Sequence, residues 1–176
     1  YAQFPSATTL PGMTGGYAGG AANTDGVVIL YSSMGSVAQQ FFGGSYNKGR
    51  TLTHEAGHWM GLKHVWGDGG CSVDDDCADT PKSDASNYGC PNTNSCTDTY
   101  TASSPWWPTA NPRDMVENYM DYTDDACMNT FTEDQKTRIR TVFLNSPRRV
   151  LLPSSTACAP AAADDASISA IVSPQG

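Results

Sequence analysis

The sequence predicts an α+β fold, rich in loops and cross-linked by disulfides, and three features carry that expectation. A β-branched run, Val27 to Tyr31, follows an Asp-Gly turn, and two later stretches carry helical periodicity. Seventeen glycines, eleven prolines and six cysteines in 176 residues leave little room for long regular elements. A chain of this length buries one adequate core, so one domain is the default.

The elements follow in order. "DGVVILYSS" packs Val27, Val28, Ile29, Leu30 and Tyr31 together and reads as a buried strand. "SVAQQFF" reads as a short helix. "RTLTHEAGHWMGL" sets Leu52, Ala56, Trp59 and Met60 near one apolar stripe, which predicts a helix from about residue 51 to about residue 61. From Val65 to Pro112 periodicity vanishes, and a loop that long in a compact domain is usually functional or stapled. "TEDQKTRIRTVFL" opens with the capping-box pattern Thr132-x-x-Gln135 and places Ile139, Val142 and Phe143 on one face, predicting a second helix. The alanine-rich run 159–176 reads as a linker to a further domain, leaving residues 1–158 as the folded unit.

Composition narrows the function classes. The net charge of −8 argues against nucleic acid or an anionic membrane surface as partner, and no apolar run approaches the 18 residues of a membrane span. Six cysteines concentrated between Cys71 and Cys158 point to a disulfide framework and so to a secreted or extracellular setting. The chain begins at Tyr1 with neither an initiator Met nor a signal peptide, so an export signal is expected upstream.

All three histidines fall within "HEAGHWMGLKH", residues 54–64. His54 and His58, four residues apart on a helix, project from one face and can reach one metal ion. His64 comes six residues after His58, and at about 100° per residue a continuing helix would turn it away. The helix must therefore stop, and Gly61 stands where a left-handed residue can end it and return His64 to the same ion. Three protein ligands leave a fourth zinc position open, as in a catalytic site, whereas a structural zinc would close its shell, often with cysteine. Glu55, beside the first ligand, is placed to take a proton from a water there. A bare HExxH also arises by chance in helices; the longer form with Gly61 and His64 is far more specific.

These residues resemble a known family. "HEAGHWMGLKH" fits the metzincin pattern HExxHxxGxxH, and "NYMDY", residues 118–122, is similar to the Met-turn that follows it. "YAQFP", "DGVVILYSS", "HVWGD", "DTP", "GCP" and "DACMNTFTEDQ" look like the pappalysins and their bacterial ulilysin-like branch, over nearly all of residues 1–144. The resemblance implies a metzincin-like catalytic domain hydrolysing peptide or protein substrates. It has a short mixed sheet, a zinc-binding active-site helix and a loop-rich, disulfide-stapled lower subdomain ending in a helix. It also implies that Met120 forms the hydrophobic floor beneath the zinc and that Tyr122 stabilises the tetrahedral intermediate. An ordinary core methionine is the alternative for Met120.

The resemblance further pairs Cys71 with Cys96 and Cys90 with Cys127. Cys77 and Cys158 depart from the family pattern; a third bridge between them is the economical inference, and two free thiols are the alternative. Relatives bind calcium around "DDDCADT", where Asp75 and Thr80 match best and where carboxylates and freed carbonyls can supply six to eight oxygens; a solvated acidic loop is the alternative. Asp124 and Asp125 follow the Met-turn, which the resemblance makes a wall of the pocket just after the cleaved bond, where ulilysin-like relatives prefer a basic residue; an acidic pocket there would suit Arg or Lys, unless either aspartate is a turn residue facing water. Trp106 and Trp107 suit a satellite cluster under the long loop, with lining of the cleft as the alternative.

Only 53 residues precede His54, whereas metzincins build a five-stranded sheet before the zinc helix. The resemblance places "YAQFP" at the end of the edge strand above the cleft, so the sheet is expected to be incomplete at its N-terminus and to need an upstream segment of the same protein. The rival class is a calcium-stabilised, catalytically silent zinc-containing binding module. Glu55 and Tyr122 discriminate, since such a module has no physical need for either.

Overall fold

The computed structural model describes Ala2, residues 21–97 and residues 111–157. Helix α1 spans Arg50–Trp59. Its N-cap, Gly49, has φ 81°, and a Cβ there would lie 2.5 Å from the Gly35 carbonyl oxygen, so glycine is required. Glycine offers no capping side chain. Asp125 supplies the acceptor instead, its Oδ2 receiving the backbone N–H of Lys48 at 2.7 Å and of Arg50 at 3.2 Å, where the helix dipole favours an anion.

At the other end Gly61 takes φ 91° and its N–H donates to His58 O at 2.9 Å, while Leu62 N–H donates to Gly57 O at 2.9 Å. This Schellman pattern satisfies the last carbonyls and turns the chain sharply. The buried residues of α1 are His54, Gly57 and His58, and Leu52 is 49% exposed. The stripe through Leu52 is therefore not the inner face; the helix gives its inner face to the imidazoles.

Helix α2 spans Glu133–Asn145, and Thr132 forms the capping box: Gln135 N–H donates to Thr132 Oγ1 at 3.2 Å and Thr132 N–H donates to Gln135 Oε1 at 3.0 Å. Glu133 and Asp134 occupy its first turn, complementing the dipole. The core cluster is small: Leu62, Val65 and Met120, with Trp66, Phe131 and Ile139 packed against it. Arg138 reaches from α2 to donate from Nε to Gly61 O at 2.6 Å, tying the second helix to the end of the first.

The first third of the fold departs from expectation. Among the described residues there is no strand, only isolated bridges: Ala2 with Val27 and Gly35 with Gln40, both antiparallel, and Asn118 with Thr130, parallel. The run expected as a buried strand leaves Val28 and Leu30 each 66% exposed and enters a 3-10 turn at Tyr31–Ser33. The stretch expected as a short helix, residues 36–42, is a series of bends with Val37 and Phe41 exposed. β-branched composition expresses fit to a partnered, half-buried surface, and among the described residues no sheet layer covers these side chains. Of "YAQFP" only Ala2 is described; Trp106, Trp107 and residues 159–176 lie outside the described residues.

Two disulfides staple the loop-rich half, Cys71–Cys96 with Cα atoms 5.5 Å apart and Cys90–Cys127 with Cα atoms 5.9 Å apart. Each closed loop contributes about 3 kcal/mol by restricting the unfolded chain. Of the expected third bridge, Cys77 to Cys158, only Cys77 falls among the described residues, as a free thiol 2% exposed; Cys158 lies outside them. Cys77 is packed inward beside Asp75, whose Oδ1 accepts its backbone N–H at 3.0 Å, and burial raises the thiol's pKa far above its usual value.

Candidate active site

The three imidazoles converge. His58 Nε2 lies 3.0 Å from His54 Nε2 and 3.0 Å from His64 Nε2, and all three ligand atoms fall within 4.8 Å of one another. This triad is the only such group of three or more candidate ligands found among the described residues. The Schellman turn produces the convergence, because it reverses the chain between His58 and His64 in six residues.

Each ring is held by its other nitrogen. His54 Nδ1–H donates to Tyr119 O at 2.7 Å, His58 Nδ1–H to Leu62 O at 2.8 Å and His64 Nδ1–H to the Asp68 carboxylate at 2.5 Å. These oxygens can only accept, so the neutral rings carry their protons on Nδ1 and point three bare Nε2 lone pairs at one another. Burial and the neighbouring His58 push the pKa of His54 down to about 3, and burial also lowers that of His58, so both remain neutral donors. Lone pairs packed at this distance repel unless a cation sits among them. Tetrahedral ligands at 2.0–2.1 Å from zinc stand about 3.3 Å apart, close to the observed spacing, so the donor set fits zinc.

Met120 packs against the helix that carries two of the histidines. It is fully buried, and its sulfur comes so close to α1 that a Cβ on Gly57 would stand 2.5 Å from it. The turn carrying it is pinned from α2: Asn118 Nδ2 donates to Gln135 Oε1 at 2.9 Å, Gln135 Nε2 donates to Asn118 Oδ1 at 3.1 Å, and Met120 N–H donates to Asn118 Oδ1 at 2.9 Å. One glutamine thus caps α2 and braces the turn that carries Met120.

Tyr122, 37% exposed, stands edge-on to His64 with ring centroids 4.9 Å apart, and its carbonyl accepts from the Tyr46 hydroxyl at 3.0 Å. Burial, then the negative charges of Asp68 and Glu55, raise its pKa, so the hydroxyl keeps its proton at neutral pH. A cavity of about 270 Å³ opens beside the triad, its lining including His54, Glu55, Tyr122, Tyr46, Asp121 and Asp125.

The two aspartates after the Met-turn separate. Asp125 is 2% exposed and its Oδ1 has no hydrogen-bond partner, whereas Asp124 is not in the cavity wall and donates its N–H to Gly89 O at 3.0 Å. Asp121, which sequence reasoning passed over, accepts from Asn87 N–H at 2.8 Å, from Asn87 Nδ2 at 2.9 Å and from Tyr122 N–H at 2.8 Å. Asp75 and Thr80 lie together and do not line the cavity: Thr80 Oγ1 donates to Asp75 Oδ1 at 2.7 Å, and both are buried. Asp68, Trp66 and Tyr46 were also missed, since no periodicity marks residues placed by tight turns.

The profile of the pregnancy-associated plasma protein-A peptidase family matches residues 18–144. The chain is similar to an extracellular metalloprotease of Podospora anserina, 38% identical over 145 residues covering 81% of this chain and 42% of that protein. It is also similar to one of Verticillium alfalfae, 42% identical over 125 residues covering 69% of this chain and 39% of that one. Among solved structures, mature mirolysin of Tannerella forsythia in complex with a cleaved peptide aligns with TM-score 0.56 and 45% identity, over 70% of this chain and 42% of that one. A promirolysin mutant from the same organism aligns with TM-score 0.58 and 46% identity, over 73% and 39%. The chain thus spans about two fifths of the length of these relatives. With the histidine triad and a profile match across most of its length, this chain belongs to the pappalysins, the metallopeptidase family of pregnancy-associated plasma protein-A.

Proposed function

We propose that this chain carries the catalytic centre of a secreted zinc endopeptidase. The observation that carries the reading is the convergence of His54, His58 and His64 beside a cavity that Glu55 and Tyr122 also line. When bound, zinc would supply Lewis acidity toward a peptide carbonyl and a neighbouring water. Glu55 takes a proton from the attacking water as the oxygen bonds to the carbonyl carbon, and passes it to the amine nitrogen as the carbon–nitrogen bond breaks. The Tyr122 hydroxyl donates to the carbonyl oxygen as negative charge gathers there. The mirolysin structure with a cleaved peptide supports this class of substrate.

Three finer features belong to the same reading. Asp125, buried in the cavity wall with a bare oxygen, suits a cationic Arg or Lys side chain following the cleaved bond. Calcium beside Asp75 and Thr80 would satisfy Asp75 Oδ2, which is buried without a hydrogen-bond partner. An upstream segment of the same protein would cover exposed Val28, Leu30, Val37 and Phe41. Supplying that segment should raise the melting temperature, and an unchanged melt would exclude it.

The central test is Glu55→Gln. The variant should bind zinc like the parent and lose at least about 1,000-fold in kcat. Parent-like peptide hydrolysis would remove Glu55 from the mechanism.

A further inference from the structure

The third histidine is held differently from the other two. The Nδ1 protons of His54 and His58 go to neutral backbone carbonyls, whereas that of His64 goes to a carboxylate, Asp68, at 2.5 Å. The residues immediately after His64 build this arrangement. Gly67 has φ 60° and Asp68 has φ 61°, and Gly69 N–H donates to Trp66 O at 3.3 Å, which are the positive central angles and closing bond of a type I′ turn. That turn folds the Asp68 side chain back onto His64 and lays the Trp66 ring parallel to the imidazole, centroids 4.2 Å apart at 5°.

Asp68 is one of two non-glycine residues with positive φ among the described residues. Glycine would occupy this backbone without strain, and aspartate tolerates it only at some cost. Its side chain is 55% exposed and makes no core packing that could explain the choice. The compensation on view is the charge-assisted hydrogen bond to the third ligand, which fixes the ring's tautomer and makes Nε2 a stronger donor.

We propose that Asp68 is a positioning residue for the third metal ligand, held in a left-handed turn so that its carboxylate orients and electronically enriches His64. The inference rests on the triad's binding a metal, as in the proposed function.

The test compares the full chain with its Asp68→Gly and Asp68→Asn variants. Zinc affinity is read by competition with a chelating indicator, and thermal unfolding is followed without metal. Glycine suits the turn but removes the acceptor; asparagine tolerates the turn and keeps a neutral acceptor. Asp68→Gly should weaken zinc binding about 10- to 100-fold while leaving the metal-free melting temperature unchanged or raised, and Asp68→Asn should recover part of that affinity. An Asp68→Gly variant that binds zinc within about threefold of the parent overturns the proposal, as does one whose metal-free melting temperature falls. If the parent itself fails to bind zinc, the metal reading falls, an outcome distinct from parent and variant binding equally.

Discussion

Arg149 lies over Trp59, its guanidinium carbon 3.7 Å from the ring centroid, and donates from Nε to the Trp59 carbonyl at 3.1 Å. Its terminal nitrogens donate to the two Asp25 oxygens at 2.6 and 2.8 Å, and Asp25 also accepts from Trp59 Nε1 at 2.9 Å. Trp59 is the last residue of α1, so a buried cation sits where the helix dipole is negative, anchored to a carboxylate from the start of the described chain.

Removing the guanidinium would leave Asp25 without its strongest partner. Arg149→Ala should cost about 3–5 kcal/mol in denaturant unfolding, and Arg149→Lys should recover less than half, because an ammonium cannot reproduce the planar fork. An unchanged unfolding midpoint would mean that the cluster does not hold the helix end.

The same cluster sets an acid response. The hydrogen bond from Arg149 holds the Asp25 carboxyl below its usual 3.8, against the opposing effect of burial. A depressed acid contributes stability that is present above the unfolded value and lost as pH falls through the folded one. Melting temperature should therefore drop below about pH 4, and Asp25→Asn should flatten that drop while lowering stability at neutral pH.

Asp125 and Asp124 should part in substrate choice. Asp125→Asn should lower kcat/KM about 10- to 100-fold for peptides with Arg after the cleaved bond and much less for neutral residues there, the size of one charged hydrogen bond. Asp124→Asn should leave the ratio unchanged. A randomised peptide library cleaved with equal preference by both variants would count against the pocket.

Calcium should stabilise the protein through Asp75. At a hundredfold excess over Kd the gain is about 2.7 kcal/mol, or roughly 5–10 °C for a chain of this size, and Asp75→Asn should abolish it. A melting temperature indifferent to calcium in the parent would leave this loop as a self-contained hydrogen-bonded turn.

Cys77 should resist alkylation in the folded protein and react once denatured, without reductant, while Cys71, Cys96, Cys90 and Cys127 remain blocked until reduced. Peptide mapping that finds Cys77 joined to Cys158 would restore the third bridge.

The site was more legible than the scaffold. His54 and His58 are related by helical geometry, His64 by one glycine, and α2 by a capping box, all local signals that short stretches carry. The run Val27–Tyr31 has strand composition, but composition cannot say whether a neighbour covers it. Asp25 and Arg149, 124 residues apart, and Asn87 with Asp121 belong to no pattern, because only the folded chain brings them together. Asp68 lay four residues beyond the third histidine in plain view, yet its role depends on two left-handed backbone angles that no spacing rule encodes.

The contact between Gly57 and Met120 has an evolutionary consequence. Position 57 is surrounded by the methionine sulfur and the Leu62 side chain, so even a methyl group would intrude. A lineage can enlarge position 57 only if the Met120 side chain shifts or shortens, because its sulfur and terminal methyl are the atoms in the way. Two segments separated by more than sixty residues of sequence are thereby obliged to change together, so variation at either should carry a record of the other.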